Sequence, residues 1–333
     1  MTLLTLVQQA GAQRPAIVRS EFLFTTAPFA SAHASTIVES DSGLVAAWFG
    51  GSREGATDVR IWLTRETTGG WTPPVPVATG VTTDGARYPC WNPVLFRPLP
   101  GVLRLYYKVG PSPSAWWGMV STSGDGGRTW GAPSRLPSGL LGPIKNKPVE
   151  IGNGTLLSPS STERPDGQWN VHFELSRDAG RTWTTVAPEV RAGAPRIDAI
   201  QPSVLVHRDG RLQAVGRTRS GRVFETWSLD SGRTWSALAL TSLPNPNSGL
   251  DALTLRDGRH LMVYDHSTRD RSPLVVAVSV DGTHWNTVLV LESGPEEYSY
   301  PAVIQTRDGL VHVTYTWRRQ RIKHVVIDPL ALP

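Results

Sequence analysis

One string recurs through this chain and limits its fold more than any other feature: Ser-x-Asp-x-Gly-x-Thr-Trp. It runs from Ser123 to Trp130, from Ser176 to Trp183 and from Ser228 to Trp235. A shortened copy spans Ser279 to Trp285, and a worn one ends at Gly69, Gly70 and Trp71. Successive tryptophans (71, 130, 183, 235 and 285) lie 59, 53, 52 and 50 residues apart. A period of that length marks a supersecondary unit that buries its apolar face only against its neighbours. Within the box, Asp and Ser suit the backbone amides of a tight turn, while Thr and Trp anchor that turn against the unit. The box is therefore read as structural.

A second repeat is offset from the first. Six apolar runs are broken by tight turns at Ser42-Gly43, Pro100-Gly101, Asn153-Gly154, Asp209-Gly210, Asp257-Gly258 and Asp308-Gly309. Asp-Gly and Asn-Gly between β-rich runs are hairpin signals, because both residues tolerate positive φ. Each unit thus holds two hairpins, or four strands. Six such units around an axis predict an all-β, six-bladed β-propeller of four-stranded antiparallel blades. The last unit runs out of chain after three strands, and the expected fourth is Ala16 to Phe24, which would close the ring and remove an open edge. The whole chain, 1–333, reads as one domain, with 1–15 a peripheral segment.

Composition excludes little else. One cysteine, Cys90, forbids an internal disulfide. The apolar run within Met1 to Ala12 lacks a basic leader and is too short for a signal peptide, so a cytoplasmic location is expected. No stretch approaches a membrane span. The net charge of +5 comes without a lysine-rich tail or basic helix, so neither nucleic acid nor membrane is the expected partner. No phosphate-binding glycine loop is present and no cofactor is expected. His33, His266 and Asp265 lack the spacing of a metal site.

Topology separates the loops into two sets. Strand-one entrances and strand-two exits share one face, and the tryptophan boxes lie on the other. The entrances give His33, Asn92, Lys147, Gln201, Asp251 and Tyr298 to Tyr300, a polar ring around the axis. The exits give Arg53, Glu54 and Asp58, then Lys108, Arg217 and Arg219, Asp265, His266, Arg269 and Arg271, and Arg318, Arg319 and Arg321. Several arginines around a concave site suit a carboxylate, since the planar guanidinium binds it bidentately. Trp91, Trp116 and Trp117 offer faces for a sugar ring.

The boxes resemble the Asp-box repeats of the sialidase superfamily, and the resemblance covers nearly the whole chain. It implies three arginines around the substrate carboxylate, a tyrosine nucleophile activated by a glutamate, and an aspartate as acid/base. Tyr298, in Glu-Tyr-Ser-Tyr-Pro, resembles the nucleophile; Arg217 and Arg271 resemble the second and third arginines. Asp58, in Gly-Ala-Thr-Asp-Val-Arg, resembles the acid/base, and Arg53 the Gly-x-Arg arginine before it. Two positions depart from the pattern: His33 stands where the first arginine belongs, and Gln201 where the glutamate belongs. A free tyrosine ionises near pH ~10, so forming its anion at neutral pH costs roughly 4 kcal/mol, and an amide cannot take the proton. Asp251 or Glu297 could replace the base, and Lys147 or protonated His33 the missing charge.

The resulting expectation is an exo-glycosidase acting on a terminal acidic sugar, a sialic acid or a related 2-keto-3-deoxy sugar. Two alternatives stay open. One is a lyase on a uronic-acid-containing glycan, using His33 and Tyr298 to move protons. The other is a non-catalytic glycan-binding propeller.

Overall fold

A computed structural model describes residues 15–98, 101–152 and 154–333. The N-terminal 1–14, and Pro100 and Asn153 of two expected turns, lie outside the described residues.

Six antiparallel sheets follow one another along the chain. Blade one is built on Ser31–Ser40, Gly43–Gly51 and Arg60–Thr67, the last of which pairs with both Gly70–Trp71 and Val75–Ala78. Blade two holds Cys90–Phe96, Leu103–Val109, Trp117–Ser123 and Ser134–Arg135, and blade three Val149–Glu150, Leu156–Glu163, Trp169–Ser176 and Thr184–Val186. Blade four holds Ala199–Val206, Leu212–Thr218, Arg222–Ser228 and Ala239–Pro244. Blade five follows with Asp251–Thr254, His260–Asp265, Leu274–Ser279 and Asn286–Glu292. Blade six takes Tyr298–Gln305, Val311–Trp317 and Arg321–Ile327 from the C-terminal end of the chain. Its outer strand, Ile17–Phe22, comes from the N-terminal end and pairs antiparallel with Arg321–Ile327. The six-bladed, all-β reading holds, and the closing strand lies within Ala16 to Phe24. Among the described residues no helix is long and apolar enough to cross a membrane.

The inner strands show no inside/outside alternation, because each blade is covered on both faces by its neighbours. Every residue of Cys90–Phe96 is buried. The boxes work between blades. Asp230 accepts from the backbone amides of Arg233 and Thr234 and from the Thr234 hydroxyl, and Ser228 accepts from Gly232 N. That turn drives Trp235 into the core, where it stacks on Phe173 of blade three at 3.9 Å.

The closing blade carries a polar clasp. Glu21 Oε1, from the N-terminal strand, accepts from His324 Nδ1 at 3.1 Å and from Trp71 Nε1 at 2.9 Å. His324 Nε2 in turn lies 2.9 Å from His312 Nδ1. The first and last strands of the ring are thus joined by side chains as well as by the ladder.

Candidate functional site

The inner strands do not run smoothly into the mouth. In four blades the ladder slips: between His33 and Thr36, Trp91 and Val94, Ile200 and Ser203, and Ser299 and Ala302. Within each slip one residue is left-handed: Ala34 (φ 55°), Asn92 (39°), Gln201 (57°) and Tyr300 (53°). Such a backbone costs of order 1 kcal/mol or more per residue and persists where it is used. A bulge re-aims a side chain. Here Gln201 and Tyr300, from blades four and six, meet at one nitrogen of Arg217.

Arg217 Nη1 donates to the Tyr300 hydroxyl at 2.5 Å and reaches Gln201 Oε1 at 3.4 Å. Its Nε is buried without a partner. The guanidinium of Arg271 lies 5.6 Å from the centre of the same tyrosine ring, and the His33 ring lies against it at 4.3 Å. Arg319, from the last hairpin, completes the cluster. Its Nε donates to Glu297 Oε2 at 2.9 Å, while Arg271 Nη1 donates to Glu297 Oε1 at 2.7 Å. A second Arg319 nitrogen pairs with Glu54, which ties the loop of Arg53, Glu54 and Asp58 to this side of the mouth. Burial alone would raise the Glu297 carboxyl; the charges of Arg271 and Arg319, with bonds from Arg319 and Ser299, hold it below the ordinary value.

The electrostatics settle the state of His33. Burial, then Arg319, Arg271, Arg217 and Lys145, push it well below the usual histidine value, so it is neutral at pH 7. The expectation that a protonated His33 supplies the missing charge is corrected: four cations around a buried ring disfavour a fifth. Lys145 sits against Tyr300, with Nζ 5.8 Å from the ring centre. Burial pulls it down to about 7, yet Nζ donates to Asn146 Oδ1, Leu250 O and Pro301 O, three acceptors that match the three donors of an ammonium. Asp265 is also buried here, raised by burial to about 8, and so carries its proton at neutral pH.

The other sequence candidates are placed as follows. Tyr298 stands outside the cluster of Arg217, Arg271 and Arg319; its hydroxyl donates to Glu296 at 3.1 Å beside Arg318, and its ring packs near Trp317 in the core between blades five and six. Asp251 accepts from Ser203 Oγ, Ala252 N and Val303 N, so both oxygens staple blades four, five and six together. Lys147 and Asp251 line a cavity at the opposite end of the axis. Trp91 and Trp116 are buried against each other and against Ile144, and Arg135 covers Trp117. Lys108 is buried and donates to Pro143 O. Asn92 holds the bulge position of blade two. Arg53 and Asp58 are exposed on their loop, where Asp58 accepts from the Ser52 amide and hydroxyl. Among the described residues no group of three His, Cys, Asp or Glu could hold a metal ion.

The sequence profile of the BNR repeat-like domain matches residues 42–313, most of the chain. The chain belongs to that family. Solved structures agree on the fold of this BNR propeller. A protein of unknown function from Dyadobacter fermentans superposes with a TM-score of 0.75 at 19% identity, over 94% of this chain and 98% of its own. The NanB sialidase of Streptococcus pneumoniae (K499G mutant) gives 0.72 at 12%, over 94% and 71%. The intramolecular trans-sialidase of Ruminococcus gnavus, solved with oseltamivir carboxylate, gives 0.71 at 16%, over 97% and 99%. No curated protein matches the chain by sequence.

In this BNR propeller the ring position of each blade lies two residues before the point where inner-strand pairing is regular. The six residues are Ala34, Asn92, Lys147, Gln201, Gly249 and Tyr300. The expected ring of six polar residues is therefore corrected at two blades, where it holds Ala34 and Gly249. Gly249 is small for a reason: a Cβ there would lie 2.8 Å from Lys145 Cε and 3.2 Å from Gln201 Oε1. A signal for Tyr300 was present, since four ring residues precede proline: Asn92-Pro93, Lys147-Pro148, Gln201-Pro202 and Tyr300-Pro301. Lys145 carried no such mark, and neither did the pairing of Arg319 with Glu297.

Proposed function

We propose that this protein is an exo-acting glycosidase of the sialidase type, removing a terminal acidic sugar, with Tyr300 rather than Tyr298 as its nucleophile. The observation that carries this reading is the 2.5 Å bond from Arg217 to the Tyr300 hydroxyl within a ring of arginines. Three guanidiniums (Arg217, Arg271 and Arg319) face two carboxylates, Glu54 and Glu297. Arg271 and Arg319 are in ion pairs with them, and among the described residues Arg217 is in none. Its buried Nε has a donor to spare, and a substrate carboxylate answers that demand.

In the proposed reaction the Tyr300 oxygen attacks the anomeric carbon while Asp58 protonates the departing glycosidic oxygen; water then releases the sugar. Gln201 cannot take the phenol proton. A hydrogen bond from a charged donor is worth about 1.5–3 kcal/mol. The bond from Arg217 strengthens as the tyrosine oxygen becomes anionic, which offsets part of the roughly 4 kcal/mol needed to ionise it. His33, neutral and with its ring 4.3 Å from that of Tyr300, is assigned the role of proton acceptor in this reading. A bound carboxylate would offset the cations that disfavour its protonation.

Turnover of a panel of acidic and neutral aryl glycosides tests the reading. Tyr300→Phe should abolish cleavage of the acidic ones and Tyr298→Phe should leave it. Full activity in Tyr300→Phe would end the proposal. The contact of neutral His33 with Tyr300 also favours a second reading, a lyase on uronic-acid-containing glycans. An ultraviolet-absorbing unsaturated uronate among the products would select it.

A further inference from the structure

The axis has a second end. Opposite the mouth, the inner strands of blades three to six enclose a cavity of about 380 Å³ that opens beside the tight glycine turns. Its lining is mixed, and the apolar part is made by half-buried Val149, Val206, Leu253 and Ile304, each from a different blade. The polar groups in it are nearly all spoken for. Asn146 accepts from Lys145 and donates to Gln201 O. Ser203 donates to Asp251, and Thr254 Oγ1 accepts from Val206 N. Gln305 accepts from Arg256 N and donates to Gly309 O. Glu150 stands exposed at the rim.

Lys147 is the exception. Its Nζ is buried and has no hydrogen-bond partner. Burial pulls its amine below the ordinary lysine value, and the charge of Asp251 offsets that only in part; both Asp251 oxygens are already held by Ser203, Ala252 and Val303. A buried amino group without an acceptor is costly, and a ligand bringing an acceptor relieves that cost.

We propose that this cavity binds a small carboxylate with an aliphatic body, its head on Lys147 and its chain against the valine, leucine and isoleucine walls. The lysine supplies the donor for the carboxylate, and the apolar part of the lining favours a ligand with an aliphatic body over an inorganic anion, which would leave that surface wet. The proposal does not depend on the glycosidase reading, since none of the residues given a catalytic or carboxylate-binding role in that reading lines the cavity.

Calorimetric titration of the full chain with hexanoate tests it, with inorganic phosphate as the second probe. Binding of hexanoate should persist in Arg217→Ala and fall about tenfold or more in Lys147→Met. Thermal unfolding of each variant checks that it is folded. Should Lys147→Met fail to fold, Ile304→Trp fills the cavity while keeping the amine, and it should also abolish binding. Hexanoate binding lost in Arg217→Ala but kept in Lys147→Met would place the ligand in the mouth and overturn the proposal. No hexanoate binding, or phosphate bound more tightly than hexanoate, would overturn it as well.

Discussion

Arg217 Nη1 donates to the Tyr300 hydroxyl across 2.5 Å, joining blade four to blade six. The same guanidinium lies 5.1 Å from the centre of the Trp169 ring, so its direction is fixed by an aromatic face as well as by the tyrosine. If this arginine both holds the substrate carboxylate and steadies the tyrosine oxygen, removing it affects binding and chemistry together. Arg217→Ala should lower kcat/KM for acidic glycosides by about 10–100-fold, the equivalent of one charged hydrogen bond. Arg217→Lys should recover only part, because an ammonium lacks the planar fork. Equal losses on acidic and neutral aryl glycosides would show that the arginine does not read the carboxylate.

Space is as closely set as charge. Gly249→Ala would place a methyl 2.8 Å from Lys145 Cε and 3.2 Å from Gln201 Oε1. Overpacking of this kind costs about 1–3 kcal/mol. It should appear in urea denaturation as a lower midpoint with an unchanged slope. Turnover should fall too, because Lys145 donates to the Pro301 carbonyl next to Tyr300. Unchanged stability would mean that the ring yields more readily than its packing implies.

The clasp in blade six should make stability depend on acid. The hydrogen bond from His324 holds the Glu21 carboxyl down, from its usual 4.5 to about 2, against the opposing effect of burial. A carboxyl depressed on folding stabilises the protein above its unfolded pKa and loses that contribution as pH falls toward the folded one. The window is therefore pH 4.5 down to 2. Glu21 is partly open to solvent, so the contribution is on the order of 1–2 kcal/mol after screening. Denaturation of wild type and Glu21→Gln at pH 7 and pH 3 should show a gap that narrows in acid. A gap that widens in acid would contradict the clasp.

Much of the fold was legible in the sequence because its signals are local and repeated. The boxes at Ser123, Ser176, Ser228 and Ser279 fix turns by their own side chains, and the glycine turns mark the hairpins between them. The closing strand was legible from a shortage, three strands where four were needed. The site was less so, because it depends on a bulge. A one-residue slip moves a side chain to the other face, so counting back from a glycine turn could not separate His33 from Ala34 or Tyr298 from Tyr300. The pair of Arg319 with Glu54 joins residues of blades six and one that only ring closure brings together.

The last prediction concerns the charge tolerated at position 33. His33 is buried, and Arg319, Arg271, Arg217 and Lys145 all act on it. Placing an arginine there by His33→Arg would add a fifth cation to a space where both nearby carboxylates, Glu54 and Glu297, are already paired. An uncompensated buried charge costs about 3–5 kcal/mol, so the single variant should be strongly destabilised. Arg319→Gln removes one guanidinium and frees carboxylate oxygens on both Glu54 and Glu297. Added to His33→Arg, it should restore stability toward that of Arg319→Gln alone, a coupling that a double-mutant cycle in urea measures directly. Strict additivity would show that Arg319 does not occupy the electrostatic place of an arginine at position 33. A clear positive coupling would mean that Arg319 and an arginine at position 33 compete for the same electrostatic place.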